Sequence, residues 1–354
     1  MKPTGIVRDS VYMMHEMGEY HPECPERLEI IYKMIDELES DLNLVEIPNR
    51  NASVEEIVFN HDPRYVNQIA ATAGRPNTFL DPDTSACAHS WEAASRAVGG
   101  VFNLVDAVIE GKVRNGFALV RPPGHHAERR RAMGFCFFNN VALAARHAVR
   151  HHGLNRVAIV DWDLHHGNGT QNAFYEESEV LFISIHQYPH YPGTGGLREV
   201  GHGDGEGYTI NVPLAAGAGD EEYLTIFHML VAPVLEAYKP QLILVSAGFD
   251  AHERDPLGGM ALTESGYCQM LEILMHIAEE YCSGRLVLTL EGGYDLIALR
   301  DSVKDILNVL SSYNCDKEMV PFQPAFERLN SIFRARLRDV LATHARYWPS
   351  LATS

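Results

Sequence analysis

The chain has 354 residues, 46% of them hydrophobic and 21% charged, a globular composition with ample length for a core, which excludes a disordered or fibrous chain. Lys plus Arg number 29 against 47 Asp plus Glu, a formal net charge of −18; such an acidic surface argues against nucleic-acid binding and suits solubility or a basic, lysine- or polyamine-like substrate. Six cysteines without a C-x-x-C pair read as reduced thiols, no signal peptide is seen, and no apolar run approaches the ~18 residues of a membrane span, so a cytoplasmic location is expected.

In chain order, helical periodicity marks Pro25–Glu39 and Ser90–Glu110. An unbroken apolar run, Gly116–Val120, then reads as a strand buried on both faces, followed by a helix over Asn140–His152. Strands are expected at Val157–Asp163 and Val180–His186. Gly193–Gly219 is Gly-rich and reads as a long functional loop, with Tyr208–Val212 as a candidate strand inside it. A helix over Asp220–Tyr238, a strand at Gln241–Asp250, a helix over Thr263–Tyr281, a strand at Arg285–Glu291 and a helix over Leu296–Ser311 complete the pattern. Strands alternating with helices predict an α/β fold with a central, mainly parallel sheet. No low-complexity linker divides the chain, so one domain over 1–354 is expected, its tail (about 322–347) an outer helix.

In such sheets ligands collect at the carboxyl ends of strands, and four strand ends here carry polar residues. The run from Val157 leads into Asp161-Trp162-Asp163-Leu164-His165, where residues two apart share a face while the backbone stays extended. The run from Leu242 ends in Asp250. Asp163, His165 and Asp250 would give two oxygens and one nitrogen with an open position, the donor set of a catalytic divalent metal; zinc and ferrous iron both suit it. Gly116–Val120 runs into Arg121-Pro122-Pro123-Gly124-His125-His126, a rigid loop presenting two imidazoles suited to proton transfer and to holding charge. Glu291-Gly292-Gly293-Tyr294 offers a phenol donor. His151-His152, at a helix end, reads as solvated.

These elements together resemble the zinc-dependent histone deacetylase superfamily, the group of class II-like histone deacetylases and acetylpolyamine amidohydrolases that shares the arginase-like fold. The resemblance begins at His21-Pro22-Glu23-Cys24-Pro25-Glu26-Arg27-Leu28 and runs past Tyr294, carried by Arg121–Ala127, Gly134–Asn139, Asp161–Gln171, Ser246–Asp250 and Glu291–Tyr294. It implies that Asp163, His165 and Asp250 bind one zinc ion, that His126 is the general base and acid, that His125 acts electrostatically with Asp161 orienting it, and that Tyr294 donates to the oxyanion. Asn168 stands where class I members have Asp. The resemblance further implies a substrate tunnel walled by Gly134, Phe135 and Tyr191, with Leu257 at a gatekeeper position, and Arg27 at a product channel. A structural potassium ion at Asp161, Asp163, His165 and Ser184 is implied as well. Leu257 replaces the glutamate of a polyamine-specific relative, which favours acyl-lysine in proteins or peptides over acetylpolyamine or other small acylamines. Hydroxamate-type inhibitors are the implied ligands; neither nucleic acid nor membrane is an expected partner, and self-association through loops at the pocket mouth is the family's route to a homo-oligomer.

Overall fold

Short runs of Val, Ile and Leu without polar alternation cannot face water on either side, so they must lie inside a covered sheet. The computed structural model, which describes residues 2–38, 42–313 and 329–353, has them there. Its strands are β1 (Thr4–Val7), β2 (Leu44–Glu46), β3 (Thr78–Asp81), β4 (Thr84–Ala86), β5 (Gly116–Ala118), β6 (Val157–Asp161), β7 (Val180–Gln187), β8 (Thr209–Leu214), β9 (Leu242–Ala247) and β10 (Leu286–Leu290). Eight of them form one sheet in the order β2-β1-β5-β10-β9-β6-β7-β8, every neighbouring pair parallel. β3 and β4 form a separate antiparallel hairpin.

The order of the strands positions the site. After β5 the chain skips two places to β6, runs out to the edge at β8, and returns to fill the gap with β9 and then β10. The carboxyl ends of β5, β10, β9 and β6 are therefore four neighbours, and the reversal of strand order there opens a crevice. All four polar strand ends singled out in the sequence meet at that place.

The helices are α1 (Glu26–Leu38), α2 (Val54–Ile57), α3 (Pro63–Ala70), α4 (Ser90–Ile109), α5 (Asn140–His152), α6 (Asn168–Phe174), α7 (Asp220–Ile226), α8 (Ala232–Tyr238), α9 (Glu264–Cys282), α10 (Leu296–Ser312) and α11 (Ser331–His344). α4 and α5 pack on each other, α4 against β1, β5 and β10 and α5 against β6 and β9. α9 packs on β9 and β10 and beside α10, which packs on α1. α5 has the predicted bounds because both stops are local: Asn139 accepts the Ala142 N–H at the start, and Gly153 takes a left-handed φ of 66° at the end. The predicted helix over Asp220–Tyr238 is instead two helices joined by a π turn, Phe227–Val231. Pro233 cannot donate to the carbonyl four residues earlier, and the chain widens just ahead of it.

Pro213 sits in β8, an edge strand, where a missing N–H is tolerated. α11 packs on that edge, and Trp348 Nε1 donates to Gly207 O at 3.0 Å. The predicted tail helix is thus present from Ser331; residues 322–328 lie outside the described residues.

Three buried histidines make the fold acid-sensitive. Burial lowers His15 to about 3, and His61 and His344 each to about 4. At each of these three, the unfolded chain takes up a proton below about pH 6.5 that the folded chain does not, so that histidine's contribution to stability is complete above that pH and is lost as the pH falls toward its folded value. Each group withdraws roughly 2 kcal/mol by pH 5. Urea midpoints of the wild type and of His344→Gln at pH 7.5 and pH 5 check this: the wild type is expected to lose ground to the variant at pH 5, and an unchanged gap would contradict it.

Candidate active site

β6 stops at Asp161, two residues short of the expected end. Beyond it the backbone is turned by the aspartates themselves: Asp161 Oδ1 accepts the Asp163 N–H at 3.2 Å, and Asp163 Oδ1 accepts the His165 N–H at 2.8 Å. Strand alternation therefore does not aim these side chains; side-chain-to-backbone turns do. Asp250, just past β9, is tied to the same segment by accepting the Leu164 N–H at 2.8 Å.

The result is a buried group in which donor atoms of Asp163, His165 and Asp250 lie within 4.8 Å of one another. His165 Nδ1 is 3.2 Å from Asp163 Oδ1 and 3.0 Å from Asp250 Oδ2. Ligands at zinc bond lengths are spaced by about 3.3 Å along a tetrahedral edge, so the donor set fits a divalent ion. Burial opposes a charged His165, yet bonds to Asp163 and Asp250 and their charges push it up to about 10; this cluster of carboxylates calls for a cation. Room is kept for one: a Cβ on Gly292 would stand 2.2 Å from Asp250 Oδ2 and 2.7 Å from Asp163 Oδ2. Gly292→Ala is expected to leave the circular dichroism spectrum intact and to weaken zinc binding by about 10–100-fold in a competition titration. Wild-type affinity would refute the fit.

Among the described residues a second His/Asp group, Asp106, His147 and His152, has a similar composition but different spacing. Both Nε2 atoms lie 2.7 and 2.6 Å from the same Asp106 Oδ1, which is hydrogen-bond distance, too short for two ligands of one metal. It ties α4 to the end of α5. His152 is thus engaged, contrary to the solvated reading of the His151-His152 pair, while His151 is exposed.

The loop after β5 is fixed from beneath by Glu291, whose Oε2 accepts the Gly124 and His125 N–H groups at 2.7 and 3.1 Å. His125 Nδ1 donates to Asp161 Oδ2 at 3.0 Å, and His126 Nδ1 to Asn168 Oδ1 at 2.8 Å. The two rings are 4.0 Å apart but their pKa values are pushed in opposite directions. Burial opposes the His125 imidazolium, yet Asp163 and Asp161 hold it well above the usual range. Burial, then the charges of His125 and His165, hold His126 well below. A charged imidazole beside a neutral one divides electrostatic from proton-transfer work. His126 packs edge-on to Tyr191 at 5.1 Å and lies 5.8 Å from His165.

Tyr294 packs edge-on against Phe135 at 5.8 Å and under the Arg27 guanidinium at 5.0 Å; burial keeps its phenol protonated. Gly134 and Phe135 both have left-handed backbones, φ 56° and 68°. The β3–β4 turn holds that conformation: Asp83 Oδ1 accepts the Gly134 N–H and Thr84 Oγ1 the Phe135 N–H, at 3.0 and 2.9 Å. Leu257 O accepts from His190 Nε2 at 3.1 Å, joining the Leu257 loop to the one bearing Tyr191. Ser184 faces Asp161 in the β6–β7 register, its hydroxyl 2.9 Å from His186 Nδ1.

Arg27 is fully buried and donates to Gly293 O and Glu291 O at 2.7 and 2.5 Å. Several groups acquire roles that the sequence reading left blank. Asp255 Oδ2 accepts the Tyr294 N–H at 2.6 Å, Glu23 bridges Arg27 and Arg121, and His190 stacks on His165 at 5.3 Å. Glu23 and Arg121 lie inside motifs quoted above, and an acid and an arginine beside buried strand ends are the available signal. Asp255 and His190 carry none beyond their loops.

A family model described as the histone deacetylase domain matches residues 21–310. An Archaeoglobus fulgidus protein named "Probable deacetylase" is 38% identical over 98% of this chain and 98% of its own length. Histone deacetylase 14, chloroplastic, of Arabidopsis thaliana is 39% identical over 89% of this chain and 81% of that protein. The solved structure titled HDA15 HD domain superposes with a TM-score of 0.91 at 36% identity, covering 99% of this chain and 97% of that one. The chain belongs to the histone deacetylase family and is a deacetylase, a hydrolase acting on amides.

Proposed function

We propose that this deacetylase removes acetyl or other short acyl groups from the side-chain amine of acyl-lysine in proteins or peptides, with a divalent ion, zinc by preference, held by Asp163, His165 and Asp250. Bound there, such an ion supplies Lewis-acid polarisation of the acyl carbonyl and acidifies water. His126 takes the proton of the attacking water through Nε2, the nitrogen not bonded to Asn168, and returns it to the leaving amine. His125, kept cationic by Asp161, lowers the energy of the developing oxyanion, and the Tyr294 phenol donates a hydrogen bond to it. Gly134, Phe135 and Tyr191 wall the approach, with Leu257 beside it: apolar and aromatic surfaces suit the methylene stem of lysine and offer no ion pair to a polyamine. Arg27 lies behind Tyr294, where a product channel is expected. Asp161, Asp163, His165 and Ser184 are the residues to hold a potassium ion, as the family resemblance implies.

The observation that carries this reading is the convergence of the buried Asp163–His165–Asp250 group with two imidazoles that have separate partners, Asp161 and Asn168. A fluorogenic acetyl-lysine peptide tests it. Turnover is expected to vanish with a chelator, to return with zinc, and to fall by about 10²–10³-fold in Tyr294→Phe. Unchanged turnover in both arms, or a preference for acetylputrescine over the peptide, would defeat it.

A further inference from the structure

We propose that Glu128 sets the tautomer of His126 by locking the orientation of the Asn168 amide; this rests on the reading of His126 as the base. A carboxylate facing His126 Nδ1 would present an acceptor whichever way it turned, but an amide has one accepting and one donating end. Only the oxygen end holds the proton on Nδ1 and leaves a lone pair on Nε2; the nitrogen end would demand the opposite tautomer, with Nε2 protonated and unable to act as a base.

The surroundings of Asn168 decide between them. Its Nδ2 donates to Glu128 Oε1 at 2.6 Å and lies 3.4 Å from the His126 carbonyl and 3.5 Å from Met133 Sδ. All three are acceptors and two are distant, so Glu128 supplies the strong contact. The Oδ1 end is thereby turned to His126 Nδ1 at 2.8 Å. Glu128 is itself held in place. Its Oε1 also accepts from Asn172 at 2.9 Å, its N–H donates to Arg131 O at 2.9 Å, and its carbonyl accepts from His61 Nδ1 at 3.0 Å. Glu128 thus acts through Asn168 as a positioning residue and touches no reacting atom.

The test uses the zinc-loaded enzyme with ¹⁵N-labelled histidine. In the wild type the proton of neutral His126 is expected on Nδ1; in Glu128→Ala a substantial share moves to Nε2, with kcat for the acetyl-lysine peptide down by about 10–100-fold and KM within about twofold. Glu128→Gln, which keeps an acceptor, is expected to retain most of both. In an Asn168→Asp background, where the partner's orientation is immaterial, adding Glu128→Ala is expected to cost no further kcat; this pair carries the test if Glu128→Ala alone does not fold. An unchanged His126 tautomer in Glu128→Ala, or an equal further loss in the Asn168→Asp background, overturns the proposal. His126→Ala keeps the two readings apart: full turnover there removes His126 as the base, whereas a dead His126→Ala beside an active, wild-type-tautomer Glu128→Ala removes only the role of Glu128.

Discussion

Asp250→Asn is expected to lower kcat/KM on an acetyl-lysine peptide by at least about 10⁴-fold, more than loss of the phenol or of the base. The change keeps side-chain shape, and the amide oxygen can still accept the Leu164 N–H that Asp250 Oδ1 accepts at 2.8 Å. What disappears is one negative charge 3.0 Å from His165 Nδ1. A site with three protein ligands that loses its second carboxylate holds a divalent ion too weakly to keep it through dialysis. Removing the phenol costs one hydrogen bond to the oxyanion, about 10²–10³-fold, and removing the base costs about 10²–10⁴-fold. Loss of the ion removes carbonyl polarisation and water acidification at once, so it must exceed either. The measurement pairs kinetics with elemental analysis after dialysis. Asp163→Asn is expected to behave alike, with an added effect from the freed Gly292 N–H, now bonded to Asp163 Oδ2 at 2.9 Å. A folded Asp250→Asn with stoichiometric zinc and near-normal turnover would show that Asp250 is not a ligand.

How much of this was legible beforehand follows from the physics of each element. Parallel strands covered on both faces must be continuous apolar runs, so β6, β7, β9 and β10 stood out, and the polar residues that end them drew attention. The topology then put four of those ends side by side. β1 and β2 escaped notice because four and three residues carry little periodicity, and α6 because it starts inside the motif itself, at Asn168. The grouping of Asp163 with His165 was anticipated from strand alternation, but the structure reaches it through aspartate-capped turns after β6 has ended. Asp255 and His190 were silent for another reason. Their partners lie 39 and 25 residues away, at Tyr294 and His165, and no local pattern encodes a contact that only the finished fold creates.

Glu23→Gln is expected to destabilise the protein by about 3–5 kcal/mol and to lower kcat in the fraction that folds. Glu23, Arg27 and Arg121 are all fully buried. The carboxylate binds Arg121 through Nε and, at 2.7 Å, through Nη2, and Arg27 Nη1 at 3.1 Å. Two guanidinium groups, neither able to shed its charge, share this one carboxylate. An amide in its place leaves both without a counter-charge in a low-dielectric interior, and breaking a buried pair from one side costs more than the pair is worth. The effect extends to the site because Arg27 holds Gly293 O and Glu291 O on the segment that presents Tyr294, while Glu291 holds the His125 loop. Wild-type Glu23 should show the same dependence as a function of pH. Burial would raise its pKa, but the charge and hydrogen bonds of Arg121 outweigh this and lower it from 4.5 to about 2. Its contribution is therefore complete above about pH 4.5 and is lost as the pH falls toward 2. Chemical denaturation of the variant and the wild type at pH 7 and pH 3.5 separates this from the histidine effect. Subtracting one from the other, the stability gap is expected to narrow at the lower pH, because below about pH 4.5 the unfolded wild-type chain takes up a proton at Glu23 that the folded chain does not, and the variant has no such group. A gap that stays constant across that interval would mean that the charge of Glu23 is not what holds the two arginines in place.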